Sequence, residues 1–131
     1  MSQPVPGVRP EGLPGAARVR VRADFLACQR SGLKQHTRHF VVFAKVRSAG
    51  DSPDVGLRLG ITASRQVGNA VRRNRWKRLV REAFRRIRGR HPASRLDVIV
   101  VARKDAEPPE LREAYHELDG AIGRLHRARR P

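Results

Sequence analysis

The chain has 131 residues, room for one ordinary domain, and its 29 Lys and Arg against 12 Asp and Glu give a formal net charge of +17. Such an excess repels itself in a compact monomer and suits a polyanionic partner better than a small neutral substrate. The lone Cys28 excludes an internal disulfide, no apolar run approaches the ~20 residues that cross a bilayer, and the N-terminus lacks a signal peptide's apolar core, so a cytoplasmic protein without a membrane partner is expected.

Residues 1–16 carry four prolines and three glycines with few apolar groups to offset the entropy of ordering, so they are expected to form a disordered tail. One domain should follow over 17–127, with a basic tail at 128–131. After Arg18 the run ADFLACQRSG places Phe25, Leu26 and Cys28 on a short helix ending near Gly32. A strand comes next: Phe40, Val42, Ala44 and Val46 share one face, Val41 and Phe43 the other, so both faces should be covered. AGDSPD at 49–54 is turn chemistry, and beyond it Leu57, Leu59, Ile61 and Ala63 alternate with Arg58, Gly60, Thr62 and Ser64. The economical pairing of these two runs is an antiparallel hairpin. A helix closing near Gly89 and Pro92 follows, then Leu96 to Arg103, whose almost unbroken apolar run predicts a central strand buried on both faces. Pro108 and Pro109 are expected to open a final helix, along which Leu111, Tyr115, Leu118, Ile122 and Leu125 recur at helical spacing.

The middle helix carries the chemistry. Arg65 to Arg90 holds eleven basic residues and one acid, Glu82, a formal +10 in one segment. At about 100° per residue from Trp76, the side chains of Leu79, Val80, Ala83, Phe84 and Ile87 fall within an arc of about 140° and define a core face. Lys77, Arg78, Arg81, Arg85 and Arg88 fall opposite, with Arg75 and Arg86 at the margin and Asn74 among them. A mixed-sign charged face is ordinarily just solvated, but here the sign is nearly pure and arginine outnumbers lysine ten to one. That bias favours planar, bidentate contact with phosphate and stacking on bases. Gly68-Asn69 suits a turn and an N-cap, and Asn69 and Arg73, four residues apart, share a face beside the helix N-terminus, where backbone N–H groups attract an anion. Asn74 adds an amide that both donates and accepts.

Val67 to Arg81, VGNAVRRNRWKRLVR, closely resembles the signature of the bacterial ribonuclease P protein component, whose helix carries an Arg-Asn-Arg core, here Arg73, Asn74 and Arg75. The resemblance extends more weakly over Arg18 to Leu125. It implies an α+β fold, a single-domain α-β sandwich in the order α-β-β-β-α-β-α, with a short first strand near Leu33 to His36, a four-stranded sheet and a left-handed β-α-β crossover around the middle helix. It also implies a small subunit of an endonuclease whose RNA does the chemistry, removing the 5′ leader of precursor tRNA with Mg2+ bound mainly by that RNA. Carried over residue by residue, Arg65, Asn69, Arg72, Arg73, Asn74, Arg75, Lys77, Arg78 and Arg81 would touch the catalytic RNA, and Phe25 and Phe43 would line a cleft for the single-stranded leader. Aromatic faces in a basic groove are what such a strand needs. The residues alone leave Phe25 and Phe43 open between core and cleft, and assign Phe40 to the core. Gln66 and Gln29 depart from the family pattern, where a second Lys and a second cleft aromatic are usual.

Autonomous catalysis is not expected. The basic segment lacks the clustered carboxylates of a metal-dependent nuclease, no metal ligand or catalytic residue stands out, and Cys28 has no Cys or His at zinc spacing. A helix-turn-helix that reads DNA would need a second helix just upstream, where a strand is expected instead. The reading from a different class is a structural RNA-binding protein of ribosomal type, which composition fits equally well.

Overall fold

The computed structural model describes residues 22–30, 33–47 and 56–128. The expected N-terminal tail, the tip at 49–54 and residues 129–131 lie outside them. The elements are α1 (Arg22–Arg30), β1 (Leu33–His36), β2 (Phe40–Val46), β3 (Arg58–Thr62), α2 (Ala70–Arg88), β4 (Leu96–Ala102) and α3 (Leu111–Ala128), with a single 3-10 turn, Arg65–Val67, leading into α2. No helix among the described residues is long and apolar enough to cross a membrane.

The four strands form one sheet in the order β1-β2-β4-β3. β2 runs antiparallel to both β1 and β4, while β3 runs parallel to β4. The expected hairpin between β2 and β3 is therefore overturned. A strand as apolar as β4 must cover both edges as well as both faces, so it inserts between β2 and β3, and α2 becomes the crossover joining two parallel neighbours. β4 is central, as its composition predicts, and five of its seven residues from Leu96 to Val100 are buried without interruption.

Register sorts the side chains. Directly opposed residues point to the same face, so Phe40, Val42 and Ala44 join Ala102, Val100 and Val98, while Val41, Phe43 and Lys45 join Val101, Ile99 and Asp97. The first set packs under α2 and α3 in the main core, with Trp76, Phe84, Ile87, Leu118, Ile122 and Leu125 fully buried. Trp76 meets Phe40 edge-on, ring centroids 5.5 Å apart at 84°. Each such side chain contributes about 1.5–3 kcal/mol through the apolar surface it removes from water. The second set faces α1 in a much smaller cluster, where buried Cys28 and Ile99 are joined by half-buried Phe43 and Val101.

Three local expectations change. Val46 is exposed at the end of β2 rather than buried with Phe40. Leu79 lies at the margin of the core, half-buried. The last helix begins at Leu111, past both prolines. Glu110 takes the capping position, its carbonyl accepting from the Ala114 N–H at 2.9 Å. Pro108 and Pro109 lie in the loop that precedes the helix.

Candidate nucleic-acid interface

The start of α2 is built by four residues acting together. Gly68 sits at φ +143°, a backbone region that side chains resist, and a Cβ there would fall 2.3 Å from Cδ of Arg72. Glycine is thus required twice, by conformation and by space. Asn69 caps the helix, its Oδ1 accepting from the Arg72 N–H at 2.9 Å. Arg72 folds back over the turn: its Nε donates to the Val67 carbonyl at 2.7 Å and its Nη2 pairs with Glu107 at 2.9 Å. This hydrogen bond raises the guanidinium's pKa and holds the Glu107 carboxyl below its usual range. Arg72 therefore ties the 3-10 turn and the β4–α3 loop to the first turn of α2. No acid occupies that turn, so its dipole and the N–H groups of Ala70 and Val71, ahead of the one that Asn69 caps, face an anion site.

Arg65, Asn69, Asn74, Arg75, Arg78 and Arg81 are exposed, and Lys77 and Arg73 are half-buried beside them. Arg73 has its Nε shielded from solvent with no hydrogen-bond partner among the described residues. Because Trp76, Val80, Ala83, Phe84 and Ile87 lock the opposite face into the core, the helix presents its cations in a fixed row. The far end of the row differs from what the helical projection gives. Arg85 bonds Glu82 at 2.7 Å and Arg86 lies 3.7 Å from the same carboxylate, while Arg88 turns inward and donates from Nε to the Leu57 carbonyl at 3.1 Å. The cationic surface is consequently richest over the first turns of α2.

Of the two expected cleft aromatics, Phe43 is on the α1 face of the sheet, half-buried, with Lys34 Nζ 5.9 Å from its ring centroid. The Phe25 side chain lies outside the described residues. Phe40 is core, as expected. Sequence reasoning missed the lysines around Phe43: Lys34 is its direct partner in β1, and Lys45 follows two residues along the same face of β2. The 2-residue period of β2 would have found Lys45, whereas Lys34 depends on the pairing of β1 with β2.

It also missed a buried ion network at the end of that face. Asp97, 3% exposed, accepts from Arg47 Nη1 at 2.8 Å and from Arg58 Nε and Nη2, both at 2.7 Å. Arg47 further donates to the carbonyls of Leu96 and Gly56. An acid inside an otherwise apolar strand was the available signal. A second unanticipated contact joins His39 to α3, where Glu117 accepts from its backbone N–H at 3.0 Å and pairs with its Nδ1 at 2.5 Å. With Glu113 these residues place three metal-ligating atoms within 4.8 Å of one another.

Comparison with known proteins agrees with this geometry. The sequence model of the family described as Ribonuclease P matches residues 13–126. A ribonuclease P protein component from Desulfovibrio desulfuricans is 44% identical over 94 residues, covering 72% of this chain and 69% of that protein. Another, from Geobacter, is 36% identical over 114 residues, covering 87% and 92%. Among solved structures, the RNase P protein of Thermotoga maritima superposes with a TM-score of 0.67 at 33% identity, over 84% of this chain and 98% of that one. A mutant RNase P protein of Staphylococcus aureus reaches 0.71 at 31% identity, over 85% and 89%. The ribosomal reading finds no support in these matches. With the family match running from residue 13 to residue 126 and whole-length relatives at these identities, the chain belongs to the bacterial ribonuclease P protein family.

Proposed function

We propose that the chain uses the two sides of its sheet on two different RNAs: the first turns of α2 dock the ribonuclease P RNA, and the α1 face around Phe43 holds the 5′ leader of precursor tRNA. Membership in the family makes the chain the protein subunit of the endoribonuclease ribonuclease P, the partner of the ribonuclease P RNA in tRNA 5′ processing. The observation that carries the docking assignment is the fixed row of Asn74, Arg75 and Arg78 on a helix whose other face is locked in the core. The leader assignment is supported by an aromatic ring with lysines on either side, on a face that the small α1 cluster covers only in part. Stacking on such a ring is worth ~1–3 kcal/mol per base and tolerates any sequence.

Magnesium chemistry belongs, on this reading, to the RNA. The His39, Glu113 and Glu117 atoms are a poor substitute, since Nδ1 of His39 is already committed to Glu117. The site of action would be the cytoplasm.

Reconstitution tests the reading: the chain is added to a bacterial ribonuclease P RNA at low magnesium, and precursor tRNA cleavage should appear only when both are present. Arg73→Ala together with Arg78→Ala should lower affinity for that RNA and flatten its salt dependence by roughly 0.7–0.9 in log–log slope for each phosphate no longer neutralised. An unchanged slope would remove those side chains from the interface.

A further inference from the structure

Between α2 and the first turn of α3 runs an open groove of about 550 Å³. Val71, Leu79 and Leu111 form its apolar lining, and Asn74, Arg75, Arg78 and Glu82 its polar rim. Val71 is 73% exposed, an apolar side chain standing in the most cationic part of the molecule. Residues 71, 74, 75, 78 and 82 follow one another at spacings of three and four, so they form a continuous stripe on α2. Leu111 approaches that stripe from α3.

A row of guanidinium groups that met only phosphate would have no use for this lining, because phosphate is held in water by charge and hydrogen bonds. Glu82 points the same way. Its carboxyl is kept below the usual carboxylate range by the hydrogen bond from Arg85, so it stays ionised and offers that end of the groove an acceptor, for which a phosphate has no donor. The volume falls within the ~300–1,000 Å³ of clefts that enclose small molecules. A flat ring with N–H groups on its edge, carried on an anionic backbone that stays outside, satisfies every part of this surface. The apolar side chains meet its face, the carboxylate accepts from its edge, and the arginines meet the flanking phosphates.

We propose that the groove receives one unpaired base of the ribonuclease P RNA, turned out of its stack and bearing an exocyclic amine. Val71, Leu79 and Leu111 lie against the ring, Glu82 accepts from the amine, and Asn74 serves the remaining edge. The inference rests on the docking reading above and extends it: α2 then reads a particular nucleotide as well as the charge of the backbone.

The test uses the full chain and a bacterial ribonuclease P RNA, with affinity measured across a salt series. Val71→Ser should weaken binding about tenfold with the log–log salt slope unchanged, because it removes apolar surface from the groove and leaves every phosphate neutralised as before. Arg78→Ala should lower the slope instead. Val71 is exposed, so Val71→Ser should unfold at the same denaturant concentration as the unaltered chain. In Val71→Cys the new thiol is the accessible one, Cys28 being fully buried, and a short photo-crosslinker attached there should mark one nucleotide. Removing that base from the RNA should weaken the unaltered chain at least as much as Val71→Ser does, and should weaken Val71→Ser by clearly less than it weakens the unaltered chain. Unchanged affinity for Val71→Ser, a slope that falls with it, or additive losses would each overturn the base-binding groove while leaving RNA docking intact. Failure of the unaltered chain to bind the RNA at all would remove both.

Discussion

The two faces of the sheet are made from the same strands and serve opposite ends. Under α2 and α3, Phe40, Val42, Ala44, Val98 and Val100 are buried with Trp76, Phe84 and Leu118 in one large core. Under α1, the intervening residues of the same strands bury Ile99 with Cys28 and leave Phe43 and Val101 partly uncovered. α1 has 9 residues, against 19 in α2 and 18 in α3, and so covers less of the sheet. On the proposed function, the difference separates stability from binding. One face is packed densely enough to hold α2 rigid behind its arginines, and the other keeps aromatic surface within reach of solvent.

Substitutions that act on one face and spare the other would break this division or sharpen it. The largest effect is expected from Phe84→Ala, which opens a cavity in the main core and should cost about 3–5 kcal/mol of unfolding free energy. Urea denaturation followed through the fluorescence of Trp76, the chain's single tryptophan, would measure it. A loss under about 1 kcal/mol, the ordinary effect of a single substitution, would show that this face is not the principal source of stability. Gly68→Ala should cost about 1–3 kcal/mol, since a side chain at φ +143° is strained and its Cβ meets Arg72. It should also weaken RNA binding by displacing the capped turn, and normal affinity in the variant would mean that the turn tolerates being moved. The smallest change in stability is expected from Phe43→Ala, below half that of Phe84→Ala because its ring is only half-buried. Its effect should fall on substrate: weaker binding of leader-bearing precursor tRNA by the assembled enzyme, with mature tRNA unaffected. Equal losses for both tRNAs would return Phe43 to the core.

What the sequence disclosed follows from how local each signal is. α2 was legible because its core and cation faces recur at 3.6 residues per turn, and β4 because an apolar run needs no partner to be recognised. The pairing of β3 was not, since nearness in sequence favours a hairpin and only the need of β4 for two neighbours overrides it. β1, LKQH, is short and polar, with Leu33 and Gln35 half-buried, so it has no period of its own to read and came only through family resemblance. At the candidate interface, the N-cap role of Asn69 was visible in the local pattern. The Arg72 clamp was not, because Glu107 and Ala106 reach it from a loop more than thirty residues away. The same holds for Asp97, whose partners are Arg47, just past the end of β2, and Arg58, on β3.

The position of β4 also governs how the molecule should report its partner. It is hydrogen-bonded on both edges, to β2 and to β3, and the helix that leads into it is the one proposed to dock RNA. Its amide hydrogens should therefore be released to solvent only by opening of the whole domain and should exchange more slowly than any others. A ligand that binds only the folded chain raises the free energy of that opening, by about 2.7 kcal/mol when present at roughly a hundred times its dissociation constant. Ribonuclease P RNA bound along α2 would then slow exchange most measurably in a strand that it never touches.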